Sequence, residues 1–133
     1  MNYLIIVNIL CFLDTLIKYL LLNEYTLIKS HVLTIKIKKV YNYGFAHGLH
    51  YEKNIFGKIV LHLLMVTLTG IFYLVNRNVY VLAVFFASQY NLFDRIKNGY
   101  IIDYIHINFM RKNLPIFNVT DIVILMNLLL FII

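Results

Sequence analysis

The sequence predicts an all-α membrane protein: a bundle of four transmembrane helices, with a small β-cradle or strand element in the first long extramembrane connection. Three observations carry this. Of the 133 residues 62% are hydrophobic and 14% charged. The mean hydropathy is +0.79. The apolar residues gather in blocks of about the length that crosses a hydrocarbon core roughly 30 Å thick, where a soluble fold would interleave them with polar positions. The whole chain, 1–133, reads as one integral membrane domain.

The first apolar run is Tyr3 to Leu22. It reads as a retained helix and not a signal peptide, because no basic segment precedes it, Asp14 and Lys18 interrupt it, and no small-x-small cleavage site follows. The stretch "HVLTIKIKKVYNYG" alternates at Thr34, Ile35, Lys36, Ile37 and Lys38, the period of an amphipathic strand, over about His31 to Val40. The second run is Ile59 to Val75 and the third Val79 to Phe93. Only Asn76, Arg77 and Asn78 separate them, so these helices form a tight antiparallel hairpin. A connection from about Asp94 to Asn118 contains the one proline, Pro115, and leads to the fourth run, Val119 to Ile133. Helices are expected throughout because lipid-facing backbone must satisfy its own hydrogen bonds, and no run shows the alternation of a barrel strand. The third and fourth runs, near 22 Å as helices, are short for a span and imply extension by their flanks or local thinning. With this order both long connections lie on one side of the membrane and both termini on the other.

The net charge of +6 does not indicate nucleic acid, because the basic residues border apolar runs without interleaved stacking aromatics; lipid headgroups are the nearer partner. Lys29, Lys36, Lys38, Lys39, Lys53 and Lys58 belong to the first long connection and its rim, and Arg95, Lys97, Arg111 and Lys112 to the second. Taken alone, the positive-inside rule places those connections in the cytoplasm. Cys11 is the single cysteine and lacks the small residues that precede a lipid-modified one.

Chemistry is expected from the acids. Four aspartates, Asp14, Asp94, Asp103 and Asp121, stand at or inside the edges of apolar runs. An ionisable group there costs about 2.5 to 3.5 kcal/mol at a helix centre, which makes each a functional candidate. Asp14 and Lys18, four apart on one helix face, read as a structural ion pair. Asp94 and Arg95 are adjacent and point apart, so each takes a partner elsewhere. Asp103 in "GYIIDYI" and Asp121 in "FNVTDIV" can meet at one membrane face. Two adjacent carboxylates share a proton, activate water and protonate a leaving amine. Other mechanisms fit less well. There is no H-E-x-x-H; "HGLHYE" offers His47, His50 and Glu52 only as a weak metal candidate; and Ser30 and Ser88 stand in no nucleophile motif. No metal or cofactor is expected. The glycosylation sequon at Asn118 sits at a helix mouth, a poor acceptor.

Five blocks in order, "DTLIK", "YNYGFAHG", "NLFDR", "GYIIDYI" and "FNVTD", resemble the lipoprotein signal peptidases, or signal peptidase II, across nearly the whole chain. The resemblance implies a four-helix membrane bundle with a β-cradle on the outer face and both termini cytoplasmic, in the bacterial inner membrane. It also implies an aspartic endopeptidase that removes the signal peptide of a prolipoprotein just before its diacylglyceryl-modified cysteine, working as a monomer without cofactor or nucleic acid. By block, Asp103 and Asp121 correspond to the catalytic dyad, Asn42 and Gly44 to a substrate-facing loop, Asn91 and Arg95 to groups binding substrate backbone, and Asn118 to a dyad neighbour. Asp14 and Lys18 match the first-helix motif. The chain departs from the pattern at Phe45, His47, Gln89, Tyr90, Thr120 and Ile122. The rival reading is an inactive membrane scaffold or transport subunit whose charge pairs are structural.

Overall fold

A computed structural model describes residues 2–21, 23–44, 55–110 and 112–133. Helix α1 runs Asn2–Leu20, α2 Ile55–Asn76, α3 Val79–Asn98 and α4 Val119–Ile132. Between them lie strands β1 (Tyr25–Lys29), β2 (Leu33–Asn42), β3 (Ile101–Phe109) and β4 (Lys112–Asn113), joined as one antiparallel sheet in the order β1-β2-β3-β4. Helices α1, α3 and α4 pack on one another, while α2 packs on α3 and buries only Val66.

One expectation is corrected here. The chain is not all-α with a strand confined to the first connection, because the second connection contributes β3 and β4 to the same sheet. The "IIDYIHINF" strand escapes a period-two reading because its first four residues, Ile101 to Tyr104, are all buried, so both faces are enclosed and nothing alternates. Helix α3 extends beyond its apolar run to Asn98, the extension by a flank that a run short of a span implies; Asp94 bonds Lys18 and Arg95 bonds the Gly44 carbonyl along that last stretch.

The helix ends follow local chemistry. Asn78 caps α3 by accepting from the Tyr80 amide, which closes the Asn76–Asn78 turn expected between α2 and α3. At the other end Gly99 adopts φ 80° and donates its N–H to the Arg95 carbonyl, a left-handed cap suited to glycine. Gly70 has a different role: a Cβ there would meet the Phe85 ring at 3.0 Å, so glycine lets α2 and α3 approach closely. β2 and β3 pair from Leu33↔Phe109 to Asn42↔Ile101, with a register shift between Ile37 and Val40. Beyond the shift Val40 lies opposite Asp103, so the irregularity adjoins the aspartate.

Val7, Cys11, Ala83, Ala87 and Val123 form the apolar core. It is small because the apolar surface points outward. Phe56, Val75 and Ile132 are each more than three-quarters exposed, and α1 and α2 are each long and apolar enough to cross a membrane. Beside that core the described residues bury nine polar ones: Asp14, Lys18, Asn91, Asp94, Arg95, Asp103, Asn118, Thr120 and Asn127. Outward apolar and inward polar is the arrangement expected when the solvent is lipid.

Candidate active site

Asp103 is carried by β3 and is 4% exposed. Its Oδ2 accepts from Asn42 Nδ2 at 2.8 Å, and its Oδ1 from Asn118 Nδ2 at 2.9 Å. Burial pushes this carboxyl above the ordinary carboxylate range, against the lowering pull of the two amides. Asp121 lies in the first turn of α4 and is half-buried. Asn91 Nδ2 donates to its Oδ1 at 2.7 Å, and the Asn118 backbone N–H to its Oδ2 at 3.2 Å. The Asn118 side-chain oxygen accepts the Asp121 amide at 2.9 Å, so the two residues form a capping box. An aspartate at the start of an apolar helix is thus accommodated locally, next to the positive end of the helix dipole. Asn118 touches both acids at once, which brings the two carboxyl groups within the span of one asparagine.

The remaining residues predicted for the site form two extensions. Asn42 Oδ1 accepts the Gly44 amide at 2.9 Å, and Arg95 Nη2 donates to the Gly44 carbonyl at 2.8 Å. Arg95 therefore reaches the Asp103 side of the site through the backbone of the loop. Asn91 is the other link, since its Oδ1 accepts from Lys18 Nζ at 3.1 Å while its amide holds Asp121. Both ends of Asn91 and both ends of Asn42 are thus engaged by protein.

Lys18 is 1% exposed and uses its ammonium on Asp14 at 2.8 Å, Asp94 at 2.7 Å and Asn91. The intrahelical pair expected from the sequence has become a buried cluster joining α1 to α3. Asp14 is fully buried and accepts three further bonds. The Tyr104 hydroxyl lies 2.7 Å from Oδ1, the Val119 amide 2.9 Å from Oδ1, and the Thr120 hydroxyl 2.8 Å from Oδ2. Sequence reasoning did not single out Tyr104 as functional, and treated Thr120 only as a departure from a pattern. Burial and the hydrogen bond to Asp14 push the Tyr104 phenol up, so it stays protonated and donates. The metal candidates His47, His50 and Glu52 lie outside the described residues, as do Phe45 and the rest of that loop; among the described residues no cluster of potential metal ligands occurs.

Residues 6–133 match the family described as Signal peptidase (SPase) II. The chain belongs to the signal peptidase II family. It is 33% identical over 138 residues to the lipoprotein signal peptidase of Wigglesworthia glossinidia brevipalpis, a match covering 97% of this chain and 90% of that protein. It is 52% identical over 31 residues, 23% of this chain and 19% of the relative, to the lipoprotein signal peptidase of Pseudoalteromonas translucida strain TAC 125. Two solved bacterial membrane enzymes, obtained by the in meso method at 2.3 Å and 1.9 Å, share the fold. They have TM-scores of 0.78 and 0.74 at 20% identity, and the matches cover 99% of this chain and 86% and 91% of theirs. Membership in the signal peptidase II family makes the chain a membrane protein and a protease concerned with lipoprotein processing.

Proposed function

We propose that this signal peptidase II family member is an aspartic endopeptidase that removes the signal peptide of diacylglyceryl-modified prolipoproteins, cutting just before the lipidated cysteine. The observation that carries the reading is the double contact of Asn118, whose side chain holds Asp103 and whose backbone holds Asp121. In this mechanism the two carboxyl groups share one proton and hold a water between them. The ionised carboxylate takes a proton from the water as its oxygen bonds to the scissile carbonyl carbon. The protonated partner hydrogen-bonds the carbonyl and then supplies a proton to the leaving nitrogen as the C–N bond breaks. Water is the only co-reactant.

Asn42, Asn91 and Asn118 orient the carboxyl groups, while Gly44 and Arg95 shape the loop across which the substrate backbone runs. The four helices span the inner membrane of a bacterium with both termini cytoplasmic, the dyad lies near the outer face, and residues 1–133 act as a single monomeric domain. The exposed apolar surfaces of α1, α2 and α4 support their placement in lipid, and the half-buried state of Asp121 leaves the dyad a side from which substrate can enter.

The test is complementation in bacterial cells lacking their own lipoprotein signal peptidase. Wild type is expected to restore conversion of a prolipoprotein to its mature form. Asp103→Asn and Asp121→Asn are expected to insert at wild-type levels and leave the precursor uncut. Maturation by either variant, or none by inserted wild type, overturns the proposal; the second outcome is what an inactive scaffold would give.

A further inference from the structure

The Asp14 carboxylate is bonded by the chain neighbours of both proposed catalytic acids. Tyr104, whose hydroxyl lies 2.7 Å from Asp14 Oδ1, directly follows Asp103; Thr120, whose hydroxyl lies 2.8 Å from Asp14 Oδ2, directly precedes Asp121. Two elements far apart in sequence, β3 and the start of α4, are therefore tied to one point on α1. Among the described residues four groups bond that carboxylate: the Tyr104 and Thr120 hydroxyls, the Val119 amide and the Lys18 ammonium. Asp14, Tyr104 and Thr120 are each 2% exposed or less, so water does not compete for these bonds.

We propose that Tyr104 and Thr120 are positioning residues for the reaction, using their hydroxyls to register β3 and α4 on Asp14 and so to fix the separation of Asp103 and Asp121. The inference rests on the dyad reading above. A peptide unit is rigid, so holding residue 104 or 120 in place holds the backbone from which the adjacent aspartate projects. The two hydroxyls bond Asp14 and not Asp103 or Asp121, so they act on the dyad chiefly through the position of the backbone. A misplacement of about 1 Å remote from the chemistry can lower a rate by about 100-fold. Asn118 sets the spacing from inside the site, and the Asp14 clamp sets it from behind.

The test uses the full-length protein in detergent or lipid nanodiscs with a synthetic lipidated prolipoprotein peptide, comparing Tyr104→Phe, Thr120→Val, the double variant and Thr120→Ser. Phe and Val preserve volume and remove only the hydroxyl. Each single change is expected to lower kcat by about tenfold with KM within about twofold, the signature of an interaction that matters mainly at the transition state. Because both act through one carboxylate, the double variant is expected to lose less than the product of the single losses. Thr120→Ser should recover most of the rate lost in Thr120→Val. The idea is overturned if the folded single and double variants keep the wild-type kcat, if only KM moves, or if the loss in rate tracks the loss of folded protein and serine does not restore it. Asp103→Asn and Asp121→Asn run beside them separate the two readings: cleavage by either aspartate variant removes the dyad itself, whereas inactive aspartate variants beside fully active Tyr104→Phe and Thr120→Val remove only the clamp.

Discussion

Two groups of acids lie side by side in this bundle, and the protein treats them oppositely. Asp14 and Asp94 share the ammonium of Lys18 at 2.8 and 2.7 Å, and Asp14 is further saturated by two hydroxyls and an amide. Asp103 and Asp121 are held by the amides of Asn42, Asn91 and Asn118. An adjacent cation offsets a carboxylate's charge, and removing either one strands the other. An amide supports the charge without cancelling it. The first group is therefore suited to structure and the second to proton transfer, although all four are aspartates of one bundle.

The sharpest way to break this contrast is to change one residue in each group. Asp121→Asn is expected to lower the rate by about 10⁴-fold, about 5.5 kcal/mol in barrier, while the protein remains folded. Lys18→Met is expected to do the reverse, leaving Asp14 and Asp94 buried beside each other without their cation and destabilising the fold by about 3 to 5 kcal/mol. Thermal unfolding in detergent beside peptide cleavage checks both. A Lys18→Met protein as stable as wild type, or an Asp121→Asn protein that cleaves, would erase the distinction.

Asn42 tests the amide half of the comparison. Asp103 is raised above the ordinary carboxylate range by burial and pulled back by the Asn42 and Asn118 amides. Since its folded value exceeds its unfolded one, ionising Asp103 costs stability that develops as pH rises from the unfolded value through the folded one. In Asn42→Leu one of the two amides is gone, so the carboxyl rises further. The pH–rate profile of the pair is then expected to move to higher pH by up to about one unit, worth about 1.4 kcal/mol. A profile that stays in place, or moves to lower pH, would show that Asn42 does not tune the acid it touches.

The same contrast explains what was legible in the sequence. Four apolar runs, the α2–α3 turn and the alternating β2 strand could be read because each is a local pattern. Asp14 and Lys18 could be paired because four residues make one turn. What stayed hidden was long-range. The Tyr104–Asp14 contact spans 90 residues and the Thr120–Asp14 contact 106, and no periodicity announces either. Asp94 and Arg95 looked like the polar end of α3, since only folding shows that Lys18 and the Gly44 carbonyl receive them. Thr120 is the instructive case. As a departure from a resemblance it looked like a flaw, yet its hydroxyl has a buried acceptor. A polar residue where a small one is usual signals a partner to be sought, and the fold supplies it.

The smallest expected effect concerns a polar pair away from both groups of acids. Tyr3 on α1 donates its hydroxyl to Oδ1 of the buried Asn127 on α4, whose own amide bonds the Val123 carbonyl. Like the Asp14 clamp it ties α1 to α4, but it is six residues beyond Asp121 on α4 and touches neither proposed catalytic acid. Tyr3→Phe removes the hydroxyl, keeps the ring for its edge-on contact with Tyr80, and should cost about 0.6 to 1.7 kcal/mol of stability, the range measured for hydrogen bonds between membrane helices. Its kcat is expected to stay at the wild-type value. If Tyr3→Phe slowed cleavage as much as Tyr104→Phe, any loosening of α1 against α4 would be enough to disturb the dyad. If it lowers stability and leaves the rate alone, sensitivity to a lost hydroxyl is confined to the residues flanking Asp103 and Asp121, as a positioning role at Tyr104 and Thr120 requires.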